Sequence, residues 1–217
     1  MIRAVVFDLD GVLIDSEPIW ERVTRELLAQ HGRTFDRVIA DQHMGMRLVD
    51  VVAAVLVAHD LDIDAEVFAR ELLDDLVAEF ERSLAPMPGA ENALKLAASL
   101  GLAVGLATGS PRRAVDAVIA RYAWRFDTIC TGDDVTRGKP APEIYQLAAE
   151  RLGVVPGACV AIEDSHNGVR AAKAAGMACI AVPEPWDPAD LTLPTLEALT
   201  AQHLQHRHAG RDSNLTG

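Results

Sequence analysis

The sequence predicts an α/β protein, built on a doubly wound parallel sheet with an α-helical cap inserted after the first strand. Two observations predict the sheet. Short apolar runs are continuous rather than alternating in polarity, as in parallel strands buried on both faces, and helical stretches separate the later runs. A third observation predicts the cap, because residues 17–82 contain helical patterns and no convincing strand.

Strands and helices alternate in the predicted core. Each predicted strand is an apolar run that ends in small or polar residues: 2–7, 102–107, 128–130, 159–162 and 178–182. The predicted core helices are amphipathic stretches: 90–100, 111–122, 142–152 and 167–175. Gly101, Gly153 and Gly176 follow three of these helices, and glycine often ends a helix. We assign this Rossmann-like core to residues 1–15 and 87–217, of which about the last 15 form a polar tail.

The predicted cap covers residues 16–86. Ile19, Val23 and Leu27 recur at helical spacing, and similar apolar faces appear in segments 51–56 and 67–80. The insert leaves the core just after the first strand, at the carboxyl edge of the sheet. Ligands of open α/β folds bind beside that edge, so the insert is placed to act as a lid over a site.

The charge and apolar content of the chain exclude several classes of protein. Its 217 residues include 32 acidic and 20 basic side chains, for a formal net charge of −12, and 50% are hydrophobic. This apolar content excludes a disordered chain. The acidity argues against a nucleic-acid partner, whose phosphates need Lys and Arg. No run approaches the ~20 apolar residues of a membrane span, and no secretory signal is visible, so we expect a cytoplasmic protein without a membrane partner. None of these patterns indicates an oligomeric state.

Polar side chains cluster at the predicted strand ends and at one helix start. The candidates are Asp8 and Asp10 after the first strand, Thr108 and Gly109 after the second, Lys139 before a helix, and Glu163 and Asp164 after the fourth strand. Because the carboxyl ends of parallel strands share one edge of a sheet, we expect these residues to lie close together.

This inventory is suited to phosphoryl transfer. Paired carboxylates offer the hard oxygen ligands that Mg²⁺ prefers, and a bound cation would offset their mutual repulsion and that of an anionic substrate. Lys139 offers a fixed positive charge and Thr108 a hydroxyl donor. A nucleophilic carboxylate must be ionised and a general acid must be protonated, so Asp8 and Asp10 need different surroundings.

Four motifs carry a family resemblance: FDLDGVLIDSE at 7–17, ATGS at 107–110, GKPAPEIY at 138–145 and AIEDSHNG at 161–168. In this order they resemble the haloacid dehalogenase (HAD) superfamily phosphatases with a helical cap. The resemblance covers residues 2–200, and it is strongest to the branch that contains β-phosphoglucomutase and sugar phosphatases such as 2-deoxyglucose-6-phosphatase.

The resemblance implies a role for each matching residue. Asp8 is the implied nucleophile, which forms an aspartyl-phosphate that water then hydrolyses. Asp10 is the implied general acid/base and also offers its backbone carbonyl to Mg²⁺. The implied metal ligands are thus Asp8, Asp10, Asp164 and, directly or through water, Glu163. The implied phosphate-holding residues are Thr108, Gly109 and Lys139.

The expected function is therefore a Mg²⁺-dependent phosphatase acting on small phosphorylated sugars or polyols. A β-phosphoglucomutase-type mutase and a phosphoglycolate-type phosphatase are the enzyme alternatives, and a non-catalytic binding protein is a third. Trp20 stands where the mutase pattern has a histidine, and the cap contains no lysine, which favours hydrolysis. Arg47 lies in a glycine-containing cap segment and is a candidate for binding the substrate's distal groups. The alternative is that Arg47 is a solvated residue at the start of a helix.

Overall fold

The computed structural model describes residues 1–205, and its core is one parallel sheet in the order β3-β2-β1-β4-β5-β6. The strands are β1 (Ala4–Phe7), β2 (Ala103–Ala107), β3 (Thr128–Cys130), β4 (Cys159–Glu163), β5 (Ala178–Ala181) and β6 (Leu191–Thr192). The doubly wound α/β fold predicted from the sequence is therefore confirmed. The two-residue edge strand β6 was not predicted, because a run of that length has no readable periodicity.

Nine helices surround or cap the sheet within the described residues. Four lie between β1 and the core helices: α1 (Glu17–Gln30), α2 (Arg37–Gln42), α3 (Leu48–Ala58) and α4 (Ala65–Ser83). The others are α5 (Ala90–Ser99), α6 (Arg112–Tyr122), α7 (Glu143–Arg151), α8 (His166–Ala174) and α9 (Ala201–Gln205). The short α2 was not predicted, since none of its side chains is buried and an apolar period is therefore missing.

The alternating side chains of β1 show why this strand is apolar throughout. Val5 and Phe7 belong to a buried cluster that continues into the inserted helices, whereas Ala4 and Val6 belong to a second cluster on the opposite face. Both faces of the strand are thus covered, which explains the continuous rather than alternating apolar run. The central position of β1 also carries Asp8 to the middle of the carboxyl edge.

Two neighbouring chain segments join the helical insert to the core. The Asp15 N–H donates to the Ala85 carbonyl, and the Met87 N–H donates to the Leu13 carbonyl, both at 2.9 Å. Further along, α4 packs against the core helix α6, and the hydroxyl of Tyr122 donates to the Leu84 carbonyl at 2.6 Å. None of the helices within residues 1–205 is long and apolar enough to cross a membrane. The polar tail beyond residue 205, including His206 and His208, lies outside the described residues.

Candidate active site

Neighbouring strand ends bring the candidate residues together. Phe7, which ends β1, is in register with residues of both β2 and β4. The residues that follow therefore leave the sheet at the same edge, with Asp8 between Thr108 and the β4 terminus that contains Glu163. Lys139 reaches this edge from the loop before α7. The expected clustering at the carboxyl edge is thus present.

Lys139 is buried between two carboxylates. Its Nζ donates to Asp8 Oδ1 at 2.9 Å and to Glu163 Oε1 at 2.5 Å. The side chains of Lys139 and Glu163 are 0% exposed, and that of Asp8 is 2% exposed. Burial alone lowers the pKa of Lys139, but the negative charges of Asp8 and Glu163 outweigh it, so the pKa is raised and the ammonium stays charged.

Burial raises the pKa of two carboxyl groups at this edge. Desolvation raises the pKa of Asp8 to about 8, partly opposed by the charge of Lys139 and assisted by that of Glu163. Desolvation, together with the charges of Asp8 and Glu163, also raises the pKa of Asp164 well above its ordinary value. Near neutral pH, a bound proton or a bound cation therefore offsets the electrostatic cost of burying these acids together.

Glu163 accepts five hydrogen bonds. Its Oε1 accepts from Lys139 and from the hydroxyl of Tyr145 at 2.6 Å. Its Oε2 accepts from the backbone N–H of Asp164 at 3.2 Å, and from both the N–H and the hydroxyl of Ser165 at 3.3 and 3.2 Å. Sequence reasoning did not assign Tyr145 to the site. A signal was available in the sequence, because Tyr145 places a hydroxyl among the apolar residues on the buried face of α7, which begins shortly after Lys139.

Asp10 is held apart from Lys139 by a different set of donors. Ser16 and Trp20 donate to its Oδ1 at 2.6 and 3.1 Å, and Ser110 and Thr108 donate to its Oδ2 at 2.7 and 3.3 Å. Trp20 belongs to α1, so one donor to this core carboxylate comes from the helical insert. The two aspartates therefore have distinct surroundings: Asp8 contacts an ammonium, and Asp10 contacts neutral donors.

Three acids have the proximity that a metal ion requires. One oxygen from each of Asp8, Glu163 and Asp164 lies within 4.8 Å of the others. The carboxylate of Asp10 is outside this group, and the role of its backbone carbonyl stays a prediction. Gly11 has a φ of +71°, and a Cβ there would overlap the Asp164 carboxylate, so glycine is needed next to the acidic cluster for both reasons.

The loop between α2 and α3 covers the phosphate-binding candidates. A Cβ at Gly109 would overlap the backbone carbonyl oxygens of Met46 and Gly45, so this glycine lets the cap loop approach the core. The side-chain amide of Asn167, on α8, donates to the Met44 carbonyl at 3.0 Å. Thr108 is buried beneath this loop, and its hydroxyl also accepts from the N–H of Ser110 at 3.1 Å.

Arg47 does not extend toward the carboxylates. Its Nε and Nη2 each donate to an oxygen of Asp50 at 2.8 Å, and its Nη1 donates to the core carbonyl of Val135 at 2.9 Å. These contacts tie the cap loop to the core. The expectation that Arg47 reads the substrate therefore has no support in this geometry, because its guanidinium is engaged elsewhere.

A cavity of ≈ 160 Å³ leads from the carboxylates into the helical insert. Asp8, Asp10, Asp164 and residues 108–110 line its core end, and residues of α1, α2, α3 and the loops between them line most of the remainder. A substrate whose reacting group lies at Asp8 would extend its other end among these helices. A parallel sheet with a helical insert above such a site is the architecture of a capped α/β hydrolase.

More specifically, the chain belongs to the haloacid dehalogenase-like hydrolases, since the model of that family matches residues 2–176. It is 37% identical over 221 residues to hexitol phosphatase B of Escherichia coli, covering 94% of this chain and 96% of that protein. It is 34% identical over 178 residues to a phosphorylated carbohydrates phosphatase of Thermotoga maritima, covering 81% and 82%. The chain is therefore a phosphatase of the HAD family, as predicted.

Solved structures agree with this assignment. A CbbY variant from Rhodobacter sphaeroides, in complex with xylulose-(1,5)bisphosphate, has a TM-score of 0.83 and 30% identity, covering 92% of this chain and 96% of that chain. β-Phosphoglucomutase from Clostridium difficile has a TM-score of 0.86 over 96% of this chain and 97% of that chain. Its identity is 24%, so that likeness concerns the fold.

Proposed function

We propose that this protein is a Mg²⁺-dependent phosphatase that hydrolyses small phosphorylated sugars or polyols through an aspartyl-phosphate on Asp8. The observation that carries the proposal is the separation of the two aspartates, with Asp8 paired to Lys139 and Asp10 held by neutral donors. The names of the hexitol and carbohydrate phosphatases among its relatives support the substrate class. We also propose residues 16–86 as the cap.

The proposed reaction has two steps, which use the two aspartates in turn. A carboxylate oxygen of Asp8 forms a bond to phosphorus as the bond to the leaving oxygen breaks, and Asp10 gives its proton to that oxygen. Asp10 then accepts a proton from water, whose oxygen attacks phosphorus and releases Asp8 and inorganic phosphate. Lys139 and the hydroxyl of Thr108 offset the charge on the phosphoryl oxygens during both steps.

The donor set fits Mg²⁺, because the clustered groups are carboxylate oxygens. Burial raises the pKa of both Asp8 and Asp164, and a bound cation would offset the cost of keeping these two groups ionised. Asp8 and Asp164 would hold the ion, with the backbone carbonyl of Asp10. When bound, the ion would neutralise phosphate oxygens and keep Asp8 ionised for attack. Glu163 accepts five hydrogen bonds already, so we propose that it positions Lys139.

Phosphate release from p-nitrophenyl phosphate and a panel of hexose and hexitol phosphates, with and without MgCl₂, tests this proposal. We expect Mg²⁺-dependent turnover that EDTA abolishes and that Asp8→Asn reduces by a factor of about 10³ or more. Asp75→Asn, an exposed residue on α4, is the matched control and should leave the rate unchanged. Full activity of Asp8→Asn would refute the proposal. Interconversion of glucose 1- and 6-phosphates faster than phosphate release would identify a mutase instead.

A further inference from the structure

The cavity that leads from the carboxylates into the helical insert is lined mainly by apolar side chains on its cap side. They come from α1, α3 and the segment between α1 and α3: Trp20, Leu28, Phe35, Ile39, Val51 and Val55. An apolar cavity of roughly 150 Å³ can hold a benzene ring, and this cavity measures ≈ 160 Å³ with its carboxylate end included. Its size and lining thus suit a compact group that presents carbon rather than charge.

The charged side chains on the cap side of this cavity are predominantly acidic. Four carboxylates line it, those of Glu17, Glu21, Asp36 and Asp41. Arg37 is the one arginine or lysine along this lining within residues 1–205. Its guanidinium already binds three of the four acids, with Nη1 to Glu21 and Nε to Asp41 at 2.8 Å and Nη2 to Glu17.

We propose that this cavity selects singly phosphorylated esters whose leaving group is uncharged and presents an apolar face no larger than about a six-membered ring. A leaving group that carries a second phosphate or a carboxylate is rejected. This inference rests on the proposed phosphatase function and narrows its substrate class. It does not exclude a sugar or polyol, because the C–H face of a ring can pack on Trp20.

Electrostatics explains the rejection of a second anion. A carboxylate or phosphate placed among α1, α2 and α3 would meet more acidic than basic side chains. The lining there has four carboxylates against one arginine, which is already paired, and two histidines, His43 and His59. Arg47, in the loop between α2 and α3, pairs with both oxygens of Asp50 and lies outside the cavity lining. Selection against charged leaving groups therefore follows from the lining itself.

Three substrates that differ only at the far end of the leaving group test the proposal: benzyl, 4-carbamoylbenzyl and 4-carboxybenzyl phosphate. The carbamoyl and carboxylate groups have nearly the same size, so their comparison isolates charge. We expect kcat/KM for the carboxylate to be lower than for the carbamoyl compound by about tenfold or more, mainly through KM. Equal kcat/KM values for these two compounds would overturn the proposal.

Two variants locate the selectivity in the cavity. Glu17→Gln combined with Glu21→Gln leaves Arg37 with fewer acidic partners. The ratio of kcat/KM for the carbamoyl substrate to kcat/KM for the carboxylate substrate should therefore fall about threefold or more. Val51→Phe fills the apolar end and should lower kcat/KM for benzyl phosphate about tenfold, with methyl phosphate changed by less than about twofold. The control, Glu91→Gln, alters an exposed acid on α5 and should change neither ratio.

Binding measurements separate this inference from the proposed function. The three leaving groups are also prepared as non-hydrolysable phosphonates, and their dissociation constants are measured by calorimetry with MgCl₂. Absence of any phosphatase turnover would refute the proposed function, while the three dissociation constants would still report selectivity. Turnover of hexose phosphates combined with equal binding of the carboxylate and carbamoyl phosphonates would refute the inference alone.

Discussion

Replacement of Glu163 by glutamine tests whether this residue positions Lys139 or binds the metal. Both oxygens of Glu163 accept hydrogen bonds, Oε1 from Lys139 and Tyr145 and Oε2 from three groups of Asp164 and Ser165. Glutamine keeps the shape, but its NH₂ group must face one of these two sets of donors. With the NH₂ group toward Lys139, the ammonium loses its acceptor, although the Tyr145 hydroxyl can turn to accept. With the NH₂ group toward the other side, the backbone N–H groups of Asp164 and Ser165 lose theirs, so at least one hydrogen bond is lost in either orientation.

The expected destabilisation follows from the buried charge. Removal of one partner from a buried ion pair costs about 3–5 kcal/mol. At pH 6 and without metal, Asp8 is largely protonated, because burial raises its pKa to about 8, and Glu163 is the other carboxyl group that accepts from Lys139. A protonated Asp8 also leaves little repulsion for the substitution to relieve. We expect the free energy of unfolding to fall by at least about 3 kcal/mol.

Urea unfolding in EDTA at pH 6 measures this free energy. Glu91→Gln, the control, exchanges the same chemical groups at an exposed site and should stay within about 0.5 kcal/mol of the wild type. If Glu163→Gln unfolded at the wild-type urea midpoint and only the Mg²⁺ requirement of activity rose, the positioning role would be wrong. Glu163 would then be a metal ligand.

Three further predictions concern neighbouring residues and the metal. Trp20→Phe removes one donor to Asp10 and keeps an aromatic ring in the cavity, so kcat on hexose phosphates should fall about tenfold. Gly168→Ala places a Cβ against the Glu163 carboxylate, so urea unfolding should show a loss of about 1–3 kcal/mol, whereas helix propensity alone predicts a gain. MgCl₂ should raise Tm more at pH 8.5 than at pH 5.5, because protons compete with the metal for Asp8 below its raised pKa of about 8. Without metal, the same raised pKa makes the folded protein less stable as pH rises from about 4 to about 8, so the ion has more stability to restore at high pH. A Tm shift independent of pH would contradict the last prediction.

The sequence predicts the core better than the cap for a physical reason. Strands buried on both faces leave continuous apolar runs, so β1 and the other long strands could be located within one or two residues. The order of the strands could not be predicted, because their pairing depends on contacts between distant segments. In the cap, α2 has no buried side chain, so its sequence lacks the apolar period of an amphipathic helix. Asp36 caps its N-terminus by accepting from the Val38 N–H, but a single capping residue is not enough to predict a helix.

The same limit applies to the candidate site. Asp8, Thr108 and Glu163 each follow an apolar run, so strand ends alone indicate that they converge. The hydrogen bond from Trp20 to Asp10 joins a cap helix to the core, and no local pattern encodes the angle at which that helix docks. Arg47 illustrates the same limit, because its proximity in sequence to a cap glycine suggested a substrate contact, and no local pattern encodes the pairing of its guanidinium with Asp50 in the folded chain.

The net charge of −12 is not an obstacle to a phosphate substrate, because local charge decides what the site attracts. Residues 16–86 contain 15 acidic and 7 basic side chains, and several of these acids are paired within the cap, among them Glu79 with Arg22 and Glu21 with Arg25. Charges farther apart than about 10 Å are largely screened at ordinary ionic strength. A phosphate at the carboxyl edge therefore responds mainly to the charged Lys139 and to carboxyl groups that hold either protons or a cation.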